Sequence, residues 1–411
     1  MTIFERAKLS DTRDHFVHSR KKLMKYNEEE FKDMSCYVLS DTCVNDLERL
    51  ESGDYFLDYP QYRLIAKNSN NQKRAVYSFL GNQASITKLL MFSMRSYESI
   101  YSDRLFSFRS DKTGKDLLNE LHINKKTISE CYILKADVTN YVSSIVPDII
   151  ISMLEKVMLP QDEKFFDFLK WMLTRNKVID KDGKVIDHCP GGLGGIPLGN
   201  FFMNLYLHEI DDYYAGRAEF YSRYSDDILI CSRSPDEIKE FERFFYKTLD
   251  SLQLKTNKEK TQIINPGGAF DILGMTIEGE RVSISEHSMI KIKRKIRRFT
   301  EQARMCFERG RCSREDAAHM LIVRYNQFFF GLLEQGKKLS WARWAFPVIT
   351  DTESLSEIDH YFQNSLRYVL YGSITKKRRY KINYDKLSSL GYKSLVYYYH
   401  HQDKIETVPR I

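Results

Sequence analysis

The sequence predicts a mixed α+β protein with a β-rich middle and helical flanks. Tyr221 to Ile230 reads as two short apolar runs around Ser225, Asp226 and Asp227, the pattern of a β-hairpin with the two acids at its turn. Tyr132 to Asp137 is an apolar run ending in a carboxylate. After it Val142, Ile145, Ile149 and Ile150 recur at helical spacing, so Asp137 belongs to a strand end before a helix. Beyond residue 286, Ile290, Ile292, Ile296 and Phe299 form an apolar stripe under a basic face, a helical signature.

Along the chain, residues 1–60 read as charged helices, with Glu28, Glu29 and Glu30 on a solvated face. Residues 61–130 carry strands and helices; Asn68 to Gln72 is a turn signal, followed at once by Lys73 and Arg74. Asn176 to Ile186 predicts a small hairpin around Asp182-Gly183. Pro190 to Gly199 is glycine-rich and runs into the apolar, helix-periodic segment Asn200 to Ile210; glycines there let the backbone approach a flat or charged ligand. Residues 286–345 are helical, and Pro347 with Thr350 to Ser354 marks a boundary before a basic C-terminal piece. The expected division is 1–130, 131–285, 286–350 and 351–411.

Adjacent carboxylates repel and need a cation beside them. Oxygen ligands suit Mg²⁺. Two separated strands that each deliver an acid to one point predict a two-metal site, and the chemistry that uses one is phosphoryl or nucleotidyl transfer. The structural alternative for Asp226-Asp227 alone is a solvated turn; Asp137 in a matching setting favours the site.

In this order the segments resemble the palm of a reverse transcriptase over roughly residues 60–300. Asp137 matches the first catalytic aspartate and Tyr224-Ser225-Asp226-Asp227 the Tyr-x-Asp-Asp box. Gly195-Ile-Pro-Leu-Gly199 matches the Gly-x-Pro-Gln-Gly loop under the nascent base pair. Leu254 to Thr261 resembles the following motif, whose lysine (Lys260, or alternatively Lys258) lies near the leaving pyrophosphate. Asp271 to Met275 resembles the primer-grip turn, with Leu273 and Gly274 at its tip. Phe106 to Arg109 is similar to the family's Tyr-Gly-Phe-Arg element, and Lys73-Arg74-Ala-Val to the fingers strand that holds the triphosphate.

The resemblance implies a right-hand polymerase of fingers, palm and thumb, with an antiparallel palm sheet, a helical thumb and a small C-terminal extension. It implies two Mg²⁺ ions, with Mn²⁺ as a substitute, held by Asp137, the Val138 carbonyl, Asp226 and Asp227. It implies nucleotide contacts at Lys73, Arg74, Tyr141, Val142, Gly195, Leu198 and Gly199. Nucleic-acid backbone contacts are implied at Lys291, Lys293, Arg294, Lys295, Arg297 and Arg298.

The tail from Asp359 to Tyr368 and from Leu390 to Leu395 looks most like the defence-associated bacterial enzymes, related to retron and group II intron enzymes. Partners are then dNTPs, a noncoding RNA that is template and scaffold, and its cDNA, in antiphage defence in a bacterial cytoplasm. The alternatives are a retron or intron enzyme, or a template-independent polymerase primed from Tyr397, Tyr398 or Tyr399. Two departures bear on this. The loop glutamine is Leu198, followed by Asn200 in place of serine. The position five after Asp137, normally a bulky aromatic that excludes a ribose 2′-hydroxyl, is Val142, with Tyr141 as an alternative gate.

Composition agrees. The 411 residues suffice for several parts with a sizeable core. No apolar stretch approaches the roughly 18 residues of a membrane span, and the N-terminus lacks a signal core. The cysteines are scattered without a Cys-x-x-Cys, which disfavours a disulfide framework or zinc; His188-Cys189 is a poor ligand pair for the same reason. The net charge of +7 is concentrated at Ser19–Lys25, Lys291–Arg298 and Lys376–Lys381, which predicts salt-sensitive phosphate contacts. The many Tyr and Phe offer stacking surfaces for unpaired bases, although Phe328, Phe329 and Phe330 read as core.

Overall fold

A computed structural model describes residues 1–21, 28–66, 73–331, 340–372 and 384–405. The turn expected at Asn68–Gln72, the latter part of the Ser19–Lys25 run and the Lys376–Lys381 run lie outside the described residues. The chain forms two compact units, residues 1–114 with 132–263 and residues 115–131 with 264–411. Both combine helices with strands that are antiparallel except for the β1–β4 pair of the first unit, an α+β architecture. No described helix is long and apolar enough to cross a membrane.

The first unit opens with helices Ile3–Lys8, Ser10–Lys21, Glu28–Val38 and Asp41–Glu51. Thr2 and Glu5 form a capping box at the first of these, which satisfies two otherwise orphaned amides. The buried Asp162 carboxylate pins that helix: it accepts from the Ile3 N–H at 2.7 Å and the Tyr97 hydroxyl at 2.6 Å. The strands of this unit are β1 (Gln61–Ala66), β2 (Lys73–Ser78), β3 (Tyr132–Asp137), β4 (Lys177–Ile179), β5 (Val185–Asp187), β6 (Phe220–Tyr224), β7 (Asp227–Ser232) and β8 (Gln262–Ile264).

One sheet has the order β2-β1-β4-β5, so the hairpin expected at Asn176–Ile186 extends the β1–β2 hairpin. Its turn is held by the Asp180 carboxylate, which accepts from the Asp182 and Lys184 amides, both at 2.9 Å. The second sheet, β6-β7-β3-β8, is central. Its middle strands are near-continuous apolar runs because both faces are covered; Ile133, Leu134, Ala136, Ile228, Leu229 and Ile230 are all buried. Helices Pro197–Tyr206, His208–Ala215 and Pro235–Ser251 complete the core.

The second unit contains a meander of β9 (Ala269–Ile272), β10 (Met275–Glu278) and β11 (Arg281–Ile284). It leads into the long helix Glu286–Glu308, capped by Ser285. The buried stripe of this helix is Met289, Ile292, Ile296, Thr300 and Ala303, a strict i, i+3/i+4 series. Ile290, expected in the stripe, lies one residue off that series and is 41% exposed.

Helices Arg314–Phe330, Trp341–Ala345, Glu353–Tyr371, Tyr384–Ser389 and Leu395–His400 follow. At the boundary expected at Thr350–Ser354, Thr350 N–H donates to the Val282 carbonyl at 2.9 Å, and Arg281 pairs with Asp351 at 2.7 Å and with Glu353. Buried Asp359 accepts from the Tyr325, Tyr392 and Ser394 hydroxyls and from the Leu395 and Val396 amides. This satisfies a desolvated carboxylate at a helix N-terminus and fastens the C-terminal helix within its unit.

Candidate active site

The antiparallel pairing of β3 and β7 runs from Tyr132 opposite Ser232 to Asp137 opposite Asp227. Directly paired residues share one face of a sheet, so these two carboxylates stand side by side at the strand ends. Tyr224 pairs with Asp227 across β6 and β7, leaving Ser225 and Asp226 as a two-residue turn. Three acids from two distant segments thus meet at one end of the central sheet, each half-buried. The hairpin and the strand-end aspartate are where the sequence put them.

The turn requires support, because Ser225 takes φ +60°, a left-handed conformation better suited to glycine. The segment before Arg109 supplies part of it. Residues Arg104 and Phe106 bond to the Arg223 backbone, and the Ser107 hydroxyl accepts the Ser225 N–H at 2.8 Å. Beneath the turn, fully buried Arg223 donates to the Ser225 carbonyl at 3.3 Å, the Asn204 carbonyl at 2.9 Å and both oxygens of buried Asp211. Tyr221 donates to the same Asp211 at 2.6 Å. Burial works against the guanidinium charge, but Asp211 beside it holds Arg223 above its ordinary pKa. Neither Arg223 nor Asp211 was singled out from sequence; a cation inside an apolar strand was the available signal.

Two lysines attend the acids. Lys135, buried two residues before Asp137 on β3, pairs with Asp227. Lys260 approaches Asp137 Oδ1 at 3.4 Å, from a loop that also fixes the Asp137 backbone. The Asp137 N–H donates to Thr261 Oγ1 at 3.3 Å, and its carbonyl accepts from the Asn257 N–H at 2.8 Å. Lys258 is exposed. Val138 bridges Thr256, with the hydrogen bonds made by its neighbours, so its own carbonyl is directed toward the opposite edge, where β7 lies.

The donor chemistry of Asp137, Asp226, Asp227 and the Val138 carbonyl is all oxygen and fits a hard divalent cation. Among the described residues, no group of three His, Cys, Asp or Glu side chains is arranged to hold an ion; Lys260 lies beside Asp137 and Lys135 beside Asp227.

The glycine loop wraps residue 142. Gly192 N–H donates to the Val142 carbonyl at 2.9 Å, and a Cβ on Gly194 would lie 2.8 Å from Val142 Cγ1. Gly199 admits no side chain, since its Cβ would lie 2.5 Å from the Gly192 carbonyl oxygen. Gly195, at φ +102°, backs onto Val76 and Tyr77, and the Gly194 carbonyl accepts from the Tyr77 N–H at 2.8 Å. The loop is therefore bonded to β2 rather than being a flexible connection.

Tyr141 and Leu198 differ from expectation. Tyr141 is only 2% exposed with its hydroxyl on the Met203 carbonyl, and Leu198 is 0% exposed inside its helix. The strand-to-helix connection turns residue 141 inward, while residue 142 is half-buried.

Lys73 and Arg74 are both exposed, but strand alternation puts them on opposite faces. Arg74 shares the face of Val76, which abuts Gly195; Lys73 shares the face of Tyr77, whose hydroxyl meets His188 Nε2 at 2.7 Å. Arg63, paired with Val76, is exposed on the glycine-loop face and was missed because only the β1–β2 register reveals it. A separate cavity of 680 Å³ is lined by Glu29, Glu30, Asp33 and the back of this loop; none of the three aspartates lines it.

In the second unit, Leu273 (φ +47°) and Gly274 (φ +82°) are the central residues of the β9–β10 turn, both left-handed as a tight hairpin requires. A Cβ at Gly274 would lie 2.7 Å from Ser288 Oγ. On helix Glu286–Glu308, Lys291, Arg294, Lys295, Arg297 and Arg298 are exposed, while Lys293 is half-buried and paired with Glu357. Lys295 lies over the Phe328 ring at 4.2 Å, and Arg297 pairs with Glu301 at 3.3 Å. Near the C-terminus, Tyr399 donates to the Ile349 carbonyl at 2.8 Å, Tyr398 packs on Phe330, and Tyr397 is exposed.

A sequence model of the family described as reverse transcriptase (RNA-dependent DNA polymerase) matches residues 65–277. No curated protein sequence matches the chain. Among solved structures, apo telomerase from Candida tropicalis truncated from its C-terminal domain is similar at 12% identity, covering 55% of this chain and 55% of that one, with a TM-score of 0.40. Telomerase from Candida albicans, in complex with the TWJ fragment of telomeric RNA, is similar at 11% identity, covering 87% of this chain and 68% of that one, with a TM-score of 0.41. The chain thus spans about half the length of the Candida tropicalis chain it matches.

Proposed function

The chain belongs to the reverse transcriptase (RNA-dependent DNA polymerase) family, and on that premise we propose that it copies RNA into DNA by nucleotidyl transfer at Asp137, Asp226 and Asp227. The observation that carries this reading is the β3–β7 register, which sets Asp137 beside Asp227 with Asp226 in the adjoining turn. Residues 61–130 and 131–285 serve in this reading as fingers and palm, residues 286–350 as thumb and 351–411 as C-terminal extension.

Asp137, the Val138 carbonyl, Asp226 and Asp227 would hold divalent ions, Mg²⁺ or Mn²⁺, which would supply activation of the primer 3′-oxygen and neutralisation of the leaving oxygen. The chain's own residues do the rest. Arg74 and Arg63 approach the triphosphate from β2 and β1, and the glycine loop supplies a flat floor for the base pair. Val142 borders the sugar. Lys260, 3.4 Å from Asp137, gives its proton to the departing pyrophosphate. Leu273 and Gly274 hold the primer, and the exposed cations of helix Glu286–Glu308 hold backbone phosphates.

The resemblance of the tail to defence-associated enzymes supports a finer reading: a bacterial cytoplasmic enzyme that makes cDNA from a dedicated noncoding RNA during antiphage defence. A protein-primed reading has less support, since of Tyr397, Tyr398 and Tyr399 only Tyr397 is exposed. The deciding experiment is purification from the native locus, followed by sequencing of bound RNA and DNA. One neighbouring RNA with complementary cDNA is expected. Asp226→Asn/Asp227→Asn should lose that cDNA and all primer extension while keeping its circular dichroism. Synthesis persisting in the double variant would overturn the site; DNA matching no template, or joined covalently to protein, would overturn the templated reading.

A further inference from the structure

We propose that the crevice between helices Glu286–Glu308 and Arg314–Phe330 takes one unpaired nucleotide of a single strand, with its base on Phe328 and its phosphate on Lys295 and Arg324. The crevice measures 370 Å³ and is lined by Lys295, Phe299, Gln302, Arg324, Gln327 and Phe328. Clefts of this size between packed helices suit a small planar ligand. Helical spacing builds it. Lys295, Phe299 and Gln302 stand at i, i+4 and i+7 on the first helix, and Arg324, Gln327 and Phe328 at i, i+3 and i+4 on the second, so each trio forms one face.

Phe329 and Phe330 are core, whereas Phe328 and Phe299 are half-buried and meet edge to face with ring centres 6.5 Å apart. The Lys295 ammonium lies over the Phe328 ring at 4.2 Å. An exposed ammonium gains little from a ring, whereas a nucleobase stacked on one gains more. A base can therefore take the ring and leave Lys295 to its phosphate. Burial, and then Arg298, hold the Lys295 pKa below its ordinary value, and a phosphate beside it favours the charged form that both oppose. Arg324 donates to Gln302 Oε1, which fixes that amide and leaves its NH₂ to donate to acceptors on a base edge. None of the six lining residues is acidic, which suits an anion and disfavours a cationic ligand. Beside the crevice, Lys291, Lys295 and Arg298 are exposed at i, i+4 and i+7, a track for the neighbouring phosphates. A base paired within a duplex is already stacked and does not enter, so the crevice selects single strands.

The test is fluorescence anisotropy of the full-length protein, without metal or dNTP. The probes are a short labelled oligoadenylate, the all-abasic strand of equal length and a duplex, each as RNA and as DNA. Wild-type protein should bind oligoadenylate about tenfold more tightly than the abasic strand. Phe328→Leu should remove that preference while leaving abasic and duplex affinities within about twofold, and Phe328→Tyr should retain it. Lys295→Ala should weaken oligoadenylate and abasic strand together, since both carry the phosphate. Dependence on Phe328 in either RNA or DNA supports the site, and the strand with the larger effect identifies its ligand.

A preference for bases that survives in a folded Phe328→Leu would overturn the proposal. So would equal weakening of the oligoadenylate, the abasic strand and the duplex, the mark of a ring that only holds the two helices together. Should Phe328→Leu lose its circular dichroism, Phe299→Leu is read in the same way. The assay needs no catalysis, so absence of primer extension would remove the polymerase reading and leave this site standing.

Discussion

Val142 is where one side chain's size bears most directly on chemistry. It packs on Gly194 from the outer side of the strand-to-helix connection, while Tyr141 is buried with its hydroxyl on the Met203 carbonyl. On the proposed polymerase reading, a valine leaves space where an aromatic ring would meet a ribose 2′-hydroxyl. Wild-type enzyme is therefore expected to incorporate GTP appreciably beside dGTP, and Val142→Phe to raise the dGTP preference by about tenfold, the effect of roughly one lost contact. Strong dGTP preference in the wild type, unchanged in Val142→Phe, would refute this. Ser107 is a second residue of this kind. Ser107→Ala removes the acceptor for the Ser225 N–H and should cost about 1–3 kcal/mol at the turn. Its signature is a fall in kcat larger than the change in KM, because the turn carries Asp226.

The hairpin of β6 and β7 is built as one element around a buried ion pair. Asp211 satisfies Arg223, Arg223 holds the turn carbonyl, and Tyr221 caps the same acid. Removing one partner strands the other charge away from water, so Asp211→Ala should destabilise by about 3–5 kcal/mol and be visible as a lower Tm. In the other unit, helix Glu286–Glu308 divides cleanly into a buried stripe and a cationic surface. Affinity for primer–template should fall steeply with salt. Arg294→Ala and Arg298→Ala should each flatten the slope of log Kd against log salt by about one. An unchanged slope would show that these side chains do not meet phosphate.

Across the whole molecule, stability leans on tyrosines whose hydroxyls are withdrawn from water. Burial pushes Tyr141, Tyr214 and Tyr221 in one unit, and Tyr325 and Tyr392 in the other, above their ordinary value of 10.0. A folded-state pKa above the unfolded one means the contribution is complete below pH 10 and lost as pH rises beyond it. Tyrosinate absorbance at 295 nm should therefore appear in two phases, exposed tyrosines near pH 10 and the buried set only together with loss of circular dichroism. Titration of all tyrosines in one early phase would contradict this.

The sequence by itself determined the kinds and order of the chemical groups. The acid at a strand end, the acid pair at a hairpin turn, the glycine-rich loop and the capped basic helix are all local patterns. Each follows from side-chain periodicity or turn chemistry within about ten residues. Tertiary structure alone decided what those groups face. Pairing of β3 with β7 set Asp137 beside Asp227, and the β1–β2 register brought Arg63 to the face of Arg74. Packing buried the Tyr141 and Leu198 side chains, and buried lysine and arginine were matched with aspartates brought to them by the fold. The reason is physical: a charge in the interior is tolerable only beside its partner, and which partner arrives is settled by strand pairing and packing, not by neighbours along the chain.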